Sequence, residues 1–299
     1  MNPLNSISPV LILMFGSTLW GLTWIWLKYT AALGIGPILL ASIAFGAQWL
    51  LTWPFALKAL RRRDRPRIDR RTIGWLCLLS TASATAGIGF TAAMVYGDVV
   101  RAMMLFFLIP AWSVLFGRLF LKEPLTPIRV IAAVIAISGA LVILGPDMQG
   151  GASLADATAL LAGFALAGAN AIFRYLNDHP IALKLSLMQA ATVLLGLLVW
   201  WLSPEFSQPV TLSASINAAL YGASMLFIAI LATQYAVERL PASRVGILMI
   251  LELLVAVFSA VILGERGHGL NVWLGGMLIV IAAVMEARGQ KTLNQSANA

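Results

Sequence analysis

Ten long apolar stretches constrain this chain more than any other feature of its sequence. A helix needs about 20 apolar residues to cross the hydrocarbon core of a bilayer, and every backbone polar group in lipid must find its partner within the protein. Strands of a membrane barrel would alternate apolar and polar residues, whereas these stretches are continuous. The sequence therefore predicts an all-α integral membrane protein with ten transmembrane helices, at residues 9–30, 36–58, 72–96, 99–120, 126–145, 154–176, 181–202, 212–237, 242–264 and 269–287.

The composition agrees with a membrane protein and argues against other classes. The chain is 60% hydrophobic and 11% charged, whereas soluble domains are about half apolar and a quarter charged. Its formal net charge of +8 lies mainly in one loop and accompanies no nucleic-acid-binding motif. Cys77 is the single cysteine, which excludes an intrachain disulfide, and no His/Glu cluster has metal-ligand spacing. We expect no cofactor, no bound metal and no nucleic-acid partner.

The distribution of basic residues predicts the orientation in the membrane. The loop from Lys58 to Arg71 is rich in arginine, and loops of this kind stay in the cytoplasm. With that loop inside and ten helices, both termini are cytoplasmic, and 17 of the 20 basic residues fall on the same side. Only Lys28, Arg101 and Arg266 fall on the other side. We predict a multi-pass protein of a bacterial-type inner membrane.

The two halves of the sequence resemble each other. The first half contains Tyr96 with its turn, then a full apolar helix that exits at Leu121-Lys122-Glu123. The second half repeats this order with Tyr235 and its turn and an exit at Leu263-Gly264-Glu265. Five helices per half is an odd number, so the second half enters the membrane from the opposite side, as in many secondary transporters. We place the two repeats at residues 1–146 and 147–299. The alternative is that any two pairs of apolar helices look alike.

Several of these pieces together resemble the drug/metabolite transporter superfamily, in its EamA-type ten-helix branch. They are Leu19-Trp20-Gly21 with Lys28, Tyr96 with its turn, the Pro110 helix, and the run from Tyr235 to Ser243 followed by Leu251-Glu252. The resemblance implies two inverted five-helix bundles around a central cavity and an exporter of metabolites or drugs, in particular a YddG-like aromatic amino acid exporter. In that family the acid at Glu252 is usually followed by proline. Leu253 stands there in this chain.

Glu252 is the one ionisable residue near the middle of an apolar stretch. A charge there costs a few kcal/mol, so such residues face a cavity or a partner. Glu252 is therefore a candidate ligand for a substrate ammonium group or a coupling proton. The alternative is a protonated side chain that is hydrogen-bonded to a neighbouring helix, and the family's retention of this acid across many substrates favours such a structural or gating role.

Aromatic and polar side chains supply the remaining candidates. Trp20 and Trp24 lie four residues apart and share a helix face, which suits stacking on a ring or a cation–π contact. The alternative for both is a lipid-facing position. Pro110 removes a backbone hydrogen bond in mid-helix and favours a kink, which serves either as a hinge or as static curvature. Further candidate substrate-binding residues are Phe90, Tyr96, Asn170 and Tyr235.

These observations favour a secondary transporter over an enzyme. No set of acids, bases or metal ligands shares one depth, as an intramembrane enzyme requires. We expect export of small metabolites, foremost aromatic amino acids, by alternating access. The first alternative is a multidrug or lipophilic-cation exporter. An organic-phosphate or nucleotide-sugar exchanger would need several buried Lys or Arg, and the inner helix segments are nearly free of them. One cavity per ten helices makes the monomer the expected functional unit.

Overall fold

The chain is helical throughout the part described by its computed structural model, residues 8–61, 68–122, 124–144, 153–203, 208–237, 239–240, 242–264 and 269–297. These residues form twelve α-helices and one short π-helical segment, and none of them lies in a strand. The helices are α1 (Pro9–Ala32), α2 (Pro37–Leu60), α3 (Arg70–Tyr96), α4 (Val99–Phe106), α5 (Ile109–Leu121), α6 (Pro127–Leu144), α7 (Leu154–Tyr175), α8 (Ile181–Leu202), α9 (Leu212–Tyr221), α10 (Phe227–Val237), α11 (Ala242–Ile262) and α12 (Leu270–Ala297), with the π-helical segment at Gly222–Leu226.

These helices make up ten apolar spans over the described residues. Helices α4 and α5 together form the fourth span, and α9, the π-helical segment and α10 form the eighth. Seven spans are long and apolar enough to cross a membrane, and α6, α11 and α12 contain shorter apolar segments. The predicted all-α membrane fold is confirmed. The largest difference is at the last helix, which continues to Ala297 rather than ending near residue 287.

Proline and short polar side chains fix several helix starts. Pro9 and Pro37 lie in the first turn of α1 and α2, where the missing N–H costs nothing. At the start of α3 the Asp69 carboxylate accepts a hydrogen bond from the Thr72 N–H at 2.7 Å. Hydrogen bonds from the side chain and backbone of Thr72 lower the pKa of Asp69. Such caps define the ends of the spans and hence their register across the bilayer.

Contacts between the halves show how they are arranged. The second spans, α2 and α8, run in opposite directions: Ser42, early in α2, lies beside Gly196, late in α8, while the Trp49 indole N–H donates to Ser186, early in α8, at 3.0 Å. Other contacts come in matched pairs, because α3 packs on α7 as α10 packs on α1, and α4 and α5 pack on α7 as α11 packs on α1. The fold is two inverted five-helix repeats.

The last spans of the two halves, α6 and α12, cross at a pair of glycines. A Cβ on Gly139 would lie 2.6 Å from the Gly275 carbonyl oxygen, and a Cβ on Gly275 would lie 2.4 Å from the Gly139 carbonyl oxygen. Small residues let helix backbones approach this closely in membranes, where packing rather than the hydrophobic effect drives association. This crossing ties the two repeats together at the side of the molecule.

Candidate functional site

A central cavity of about 390 Å³ lies between the two repeats. Both halves line it: α1 to α5 contribute residues from the first repeat, and α7 to α12 contribute residues from the second. Its volume falls near the lower end of the roughly 300–1,000 Å³ that small-molecule pockets occupy. The position at a repeat interface is the usual one for the substrate site of a transporter.

The cavity reaches toward one end of the spans. Asn170 near the end of α7, Leu185 near the start of α8 and Gln234 near the end of α10 all line it, and Asn170 is exposed. At the opposite end the chain is closely packed, with Leu27, Met94, and other side chains of the main hydrophobic cluster buried. The structure therefore has a cavity that is closed at the end where α3 ends and α4 begins.

An ion pair joins the two repeats at this closed end. The Arg101 Nε lies 2.7 Å from Asp156 Oδ1, and their side chains are 18% and 6% exposed. Arg101 is in the first turn of α4, where its backbone N–H donates to Asp98, and Asp156 is in the first turn of α7. Asp156 also accepts the Ser153 backbone N–H at 2.8 Å. Two helix starts from different halves are thus held together by one buried carboxylate.

Aromatic rings form much of the cavity wall. Phe90 and Phe106 lie with their ring centroids 4.8 Å apart, and Phe106 contacts Phe107 edge-on at 5.8 Å. Trp20 and Tyr221 also line the cavity. Aromatic rings attract one another in offset or edge-to-face arrangements. The wall therefore suits a solute with an aromatic or flat apolar part, which can pack against these rings.

The polar part of the lining is neutral except for one acid. Glu252 is 6% exposed and contributes the only carboxyl group among the described lining residues. Neutral side chains supply the remaining polar groups: the amides and hydroxyls of Gln48, Ser83, Thr91, Ser113, Asn170, Gln189, Tyr221, Thr233 and Gln234, and the indole N–H of Trp20. No lysine or arginine of the described residues lines the cavity. The site can therefore offer an ammonium group one acidic partner and offer a carboxylate only neutral donors.

The structure brings four of the predicted binding residues together and places three elsewhere. Trp20, Phe90, Asn170 and Glu252 line the cavity. The other three do not: the Trp24 indole N–H donates to Ser259 of α11 at 2.9 Å, Tyr96 is 62% exposed at the end of α3, and the Tyr235 ring lies 3.7 Å from the Arg239 guanidinium carbon. We leave Trp24, Tyr96 and Tyr235 out of the candidate site.

The predicted kink at Pro110 corresponds to a break in the fourth span. Helix α4 ends at Phe106, and α5 begins at Ile109 with the proline in its first turn. The Pro110 side chain lies outside the described part of the structure, so its role as a hinge stays a prediction. The exit acids Glu123 and Glu265 and the repeat boundary at residues 146 and 147 also fall outside the described residues.

Reasoning from the sequence missed most of the other lining residues, among them Gln48, Gln189 and Tyr221. The two glutamines carry a signal that a sequence reader can use, because a polar side chain within an apolar span faces the protein interior. Tyr221 carries no such signal, since tyrosine is also common at the lipid interface. It is buried next to the π-helical segment.

Comparison with known proteins identifies the family. The EamA-like transporter family matches the chain twice, over residues 7–145 and 153–286. This chain belongs to the EamA-like transporter family. The family predicted from the sequence is thereby confirmed, and the two matches correspond to the two inverted repeats. As an EamA-like transporter, the protein is a multi-pass membrane transporter of small molecules.

One solved structure, described as "Crystal structure of protein", is similar to this EamA-like transporter in fold. The similarity covers 96% of this chain and 98% of the other, with a TM-score of 0.62 and 20% sequence identity. No curated protein matches the chain significantly. The family accounts for transport in general, and the choice of solute has to be argued from the cavity.

Proposed function

We propose that this EamA-like transporter exports small amino-bearing solutes with an aromatic part, foremost aromatic amino acids, by alternating access. The observation that carries the proposal is the lining of the central cavity, which combines the Phe90–Phe106 ring pair, Trp20, neutral amides and the single carboxyl of Glu252. An aromatic amino acid needs a flat apolar wall, a partner for its ammonium group and donors for its carboxylate, and this lining supplies all three.

The lining also argues against phosphorylated solutes. Phosphate recognition relies on arginine or lysine, and the described residues of the cavity wall include neither. The runner-up is export of lipophilic cations, which is favoured by the same aromatic wall and by Glu252, because a cation needs no carboxylate site. The two candidates differ in whether the solute must carry a carboxylate.

The proposed direction of transport rests on the distribution of charge. If the arginine-rich loop after α2 is cytoplasmic, the open end of the cavity, near Asn170 and Leu185, faces the cytoplasm. The end closed by Arg101 and Asp156 then faces outward. This arrangement corresponds to an inward-facing state that would receive solute from the cytoplasm, with both termini cytoplasmic and the protein in a bacterial-type inner membrane.

Uptake into proteoliposomes tests the proposal. Labelled phenylalanine and a labelled quaternary ammonium compound are offered side by side to the wild type, to Trp20→Leu and to Trp201→Leu. Trp201 is exposed on α8, away from the cavity, so it provides the matched control. We expect the wild type to take up phenylalanine. Trp20→Leu should lower this uptake at least about fivefold, because about 1 kcal/mol of aromatic contact is lost, and Trp201→Leu should leave it unchanged. Uptake of the quaternary ammonium alone would favour the runner-up, and uptake of neither would reject both.

A further inference from the structure

Two buried glutamines lie in the cavity wall, one from each repeat. Gln48 of α2 is 0% exposed and Gln189 of α8 is 3% exposed, and both line the cavity. Helices α2 and α8 are the second spans of their halves and pack against each other. The two amides therefore meet at the interface across which an inverted-repeat transporter moves.

The hydrogen bonds around these amides are incomplete. Within the described part of the chain, neither Nε2 nor Oε1 of Gln48 has a partner, and Nε2 of Gln189 has none. Oε1 of Gln189 accepts the hydroxyl of Thr52. Thr52 follows Gln48 by four residues, which places the two on one helix face about 5–6 Å apart. The glutamines thus lie at one level of the wall and leave two amide N–H₂ groups and one carbonyl oxygen unpaired.

Unpaired polar atoms in a buried site cost free energy, and nearly all such atoms in proteins have partners. A glutamine pair that served packing alone would bond to itself or to neighbouring helices, as Trp49 does to Ser186. The donors left over are those that a bound solute would satisfy. Donors outnumber acceptors here, so the fitting group is one that only accepts hydrogen bonds.

We propose that Gln48 and Gln189 form the subsite that binds the carboxylate of the transported solute. An ionised carboxylate accepts hydrogen bonds on both oxygens and donates none, which matches the two unpaired amide N–H₂ groups. Glu252 in the same cavity then remains for the ammonium group. Neutral amides hold a carboxylate less tightly than arginine does, which suits a transporter that has to release its solute on the other side.

This inference rests on the proposed function and narrows it, because it makes the carboxylate a requirement and rejects simple cations. It is tested by binding to the purified full-length protein, measured by calorimetry with phenylalanine and with phenethylamine, which lacks only the carboxylate. The wild type should bind phenylalanine at least about tenfold more tightly, as expected for a hydrogen bond to a charged group. In Gln48→Leu and Gln189→Leu this ratio should fall toward one.

Two further variants sharpen the test. Gln48→Glu keeps the side-chain size but places a negative charge in the subsite, so the preference should reverse toward phenethylamine. Asn217→Leu is the matched control, since the Asn217 amide donates to the Ser213 carbonyl oxygen at 3.0 Å and does not line the cavity. Its ratio should equal that of the wild type. A melting curve without solute should show Gln48→Leu at least as stable as the wild type, because the substitution removes unpaired atoms.

Three results would each overturn the carboxylate subsite. The first is equal binding of both compounds to the wild type, and the second is a ratio of phenylalanine to phenethylamine affinity that neither leucine variant changes. The third is a loss of stability in Gln48→Leu without solute. Binding and proteoliposome uptake separate this proposal from the broader one. Uptake of phenylalanine and phenethylamine at equal rates would reject the subsite and keep the transporter of amino-bearing aromatic solutes. Carboxylate-dependent binding without any uptake would support the subsite and reject the proposed transport of these solutes.

Discussion

Among single residues, Glu252 most sharply limits what the cavity accepts. It is buried in α11 and lines a cavity to which the described residues contribute no cation. An acidic side chain near the centre of a membrane helix costs about 2.5–3.5 kcal/mol on insertion scales. No lysine or arginine of the described lining offsets that cost, so a positively charged part of the solute is the natural partner.

Replacing Glu252 by glutamine should separate binding from folding. Glu252→Gln keeps the shape of the side chain and removes its charge, so we expect an unchanged or higher melting temperature. Uptake of an ammonium-bearing solute should fall about tenfold or more, because a hydrogen bond to a charged group contributes about 1.5–3 kcal/mol. Asp178→Asn, at an exposed residue between α7 and α8, is the control. Wild-type uptake by Glu252→Gln would remove this carboxyl from the mechanism.

The candidate residues show which parts of the site are readable from sequence. Residue type and helix position pointed to Trp20, Phe90, Asn170 and Glu252, all of which line the cavity. Four-residue spacing places Trp24 on the same face as Trp20, but one turn further along α1 that face is covered by α11, and the indole bonds to Ser259. Periodicity gives the direction of a side chain and not the depth at which a neighbouring helix closes over it.

Among the helices of the described residues, two spans are interrupted, and both interruptions border the cavity. The fourth span breaks between Phe106 and Ile109, and the eighth contains the π-helical segment at Gly222–Leu226. The residues at these interruptions that line the cavity are Phe106, Phe107, Ile109, Tyr221 and Leu226. π-Helical turns often occur at functional sites, and this one adjoins or contains the lining residues Tyr221 and Leu226.

The second interruption lies in close backbone contact with α2. A Cβ on Gly222 would lie 1.9 Å from the Ala44 carbonyl oxygen of α2. Gly222→Ala should therefore force α9 away from α2 and destabilise the protein by about 1–3 kcal/mol, measured as a lower melting temperature in detergent. Gly74→Ala is the matched control, since a Cβ there meets nothing within 4 Å, and alanine should stabilise that helix by up to about 1 kcal/mol. Equal melting temperatures for the two variants would contradict the role given to Gly222.

The sequence predicted the spans and a kink near Pro110 but missed the π-helical segment at Gly222–Leu226, for one physical reason. A span follows from about 20 apolar residues in a row, which is local information. The approach of Gly222 to Ala44, or of Gly163 to the Phe106 carbonyl oxygen, depends on residues far apart in the chain. Only Pro110 gave a local sign of a break, and the helix ends four residues before it, at Phe106.

The ion pair between α4 and α7 leads to a further prediction. Arg101→Met keeps an unbranched apolar stem and removes the charge that binds Asp156. We expect the closed end to loosen, so that a cysteine placed in the cavity reacts several-fold faster with a membrane-impermeant thiol reagent added from that side. Arg118→Met, on α5 toward the other end of the same span, should leave this rate unchanged. An unchanged rate in Arg101→Met would show that the ion pair does not hold that end shut.

At the scale of the whole molecule, two oppositely inserted halves enclose one cavity. Because the halves are related by inversion, the packing of α3 on α7 is matched by that of α10 on α1. The alternating access that we propose would exchange the closed end for the open one and so expose the cavity first to one side of the membrane and then to the other.

The most direct test of this account is the accessibility of Ser83, which lies midway along α3 and lines the cavity. Ser83→Cys is made in a Cys77→Ser background, which removes the chain's single natural cysteine, and an impermeant thiol reagent is added from either side of the membrane. We predict labelling from both sides and slower labelling in the presence of phenylalanine. Labelling from one side only, whatever solute is present, would contradict alternating access through this cavity.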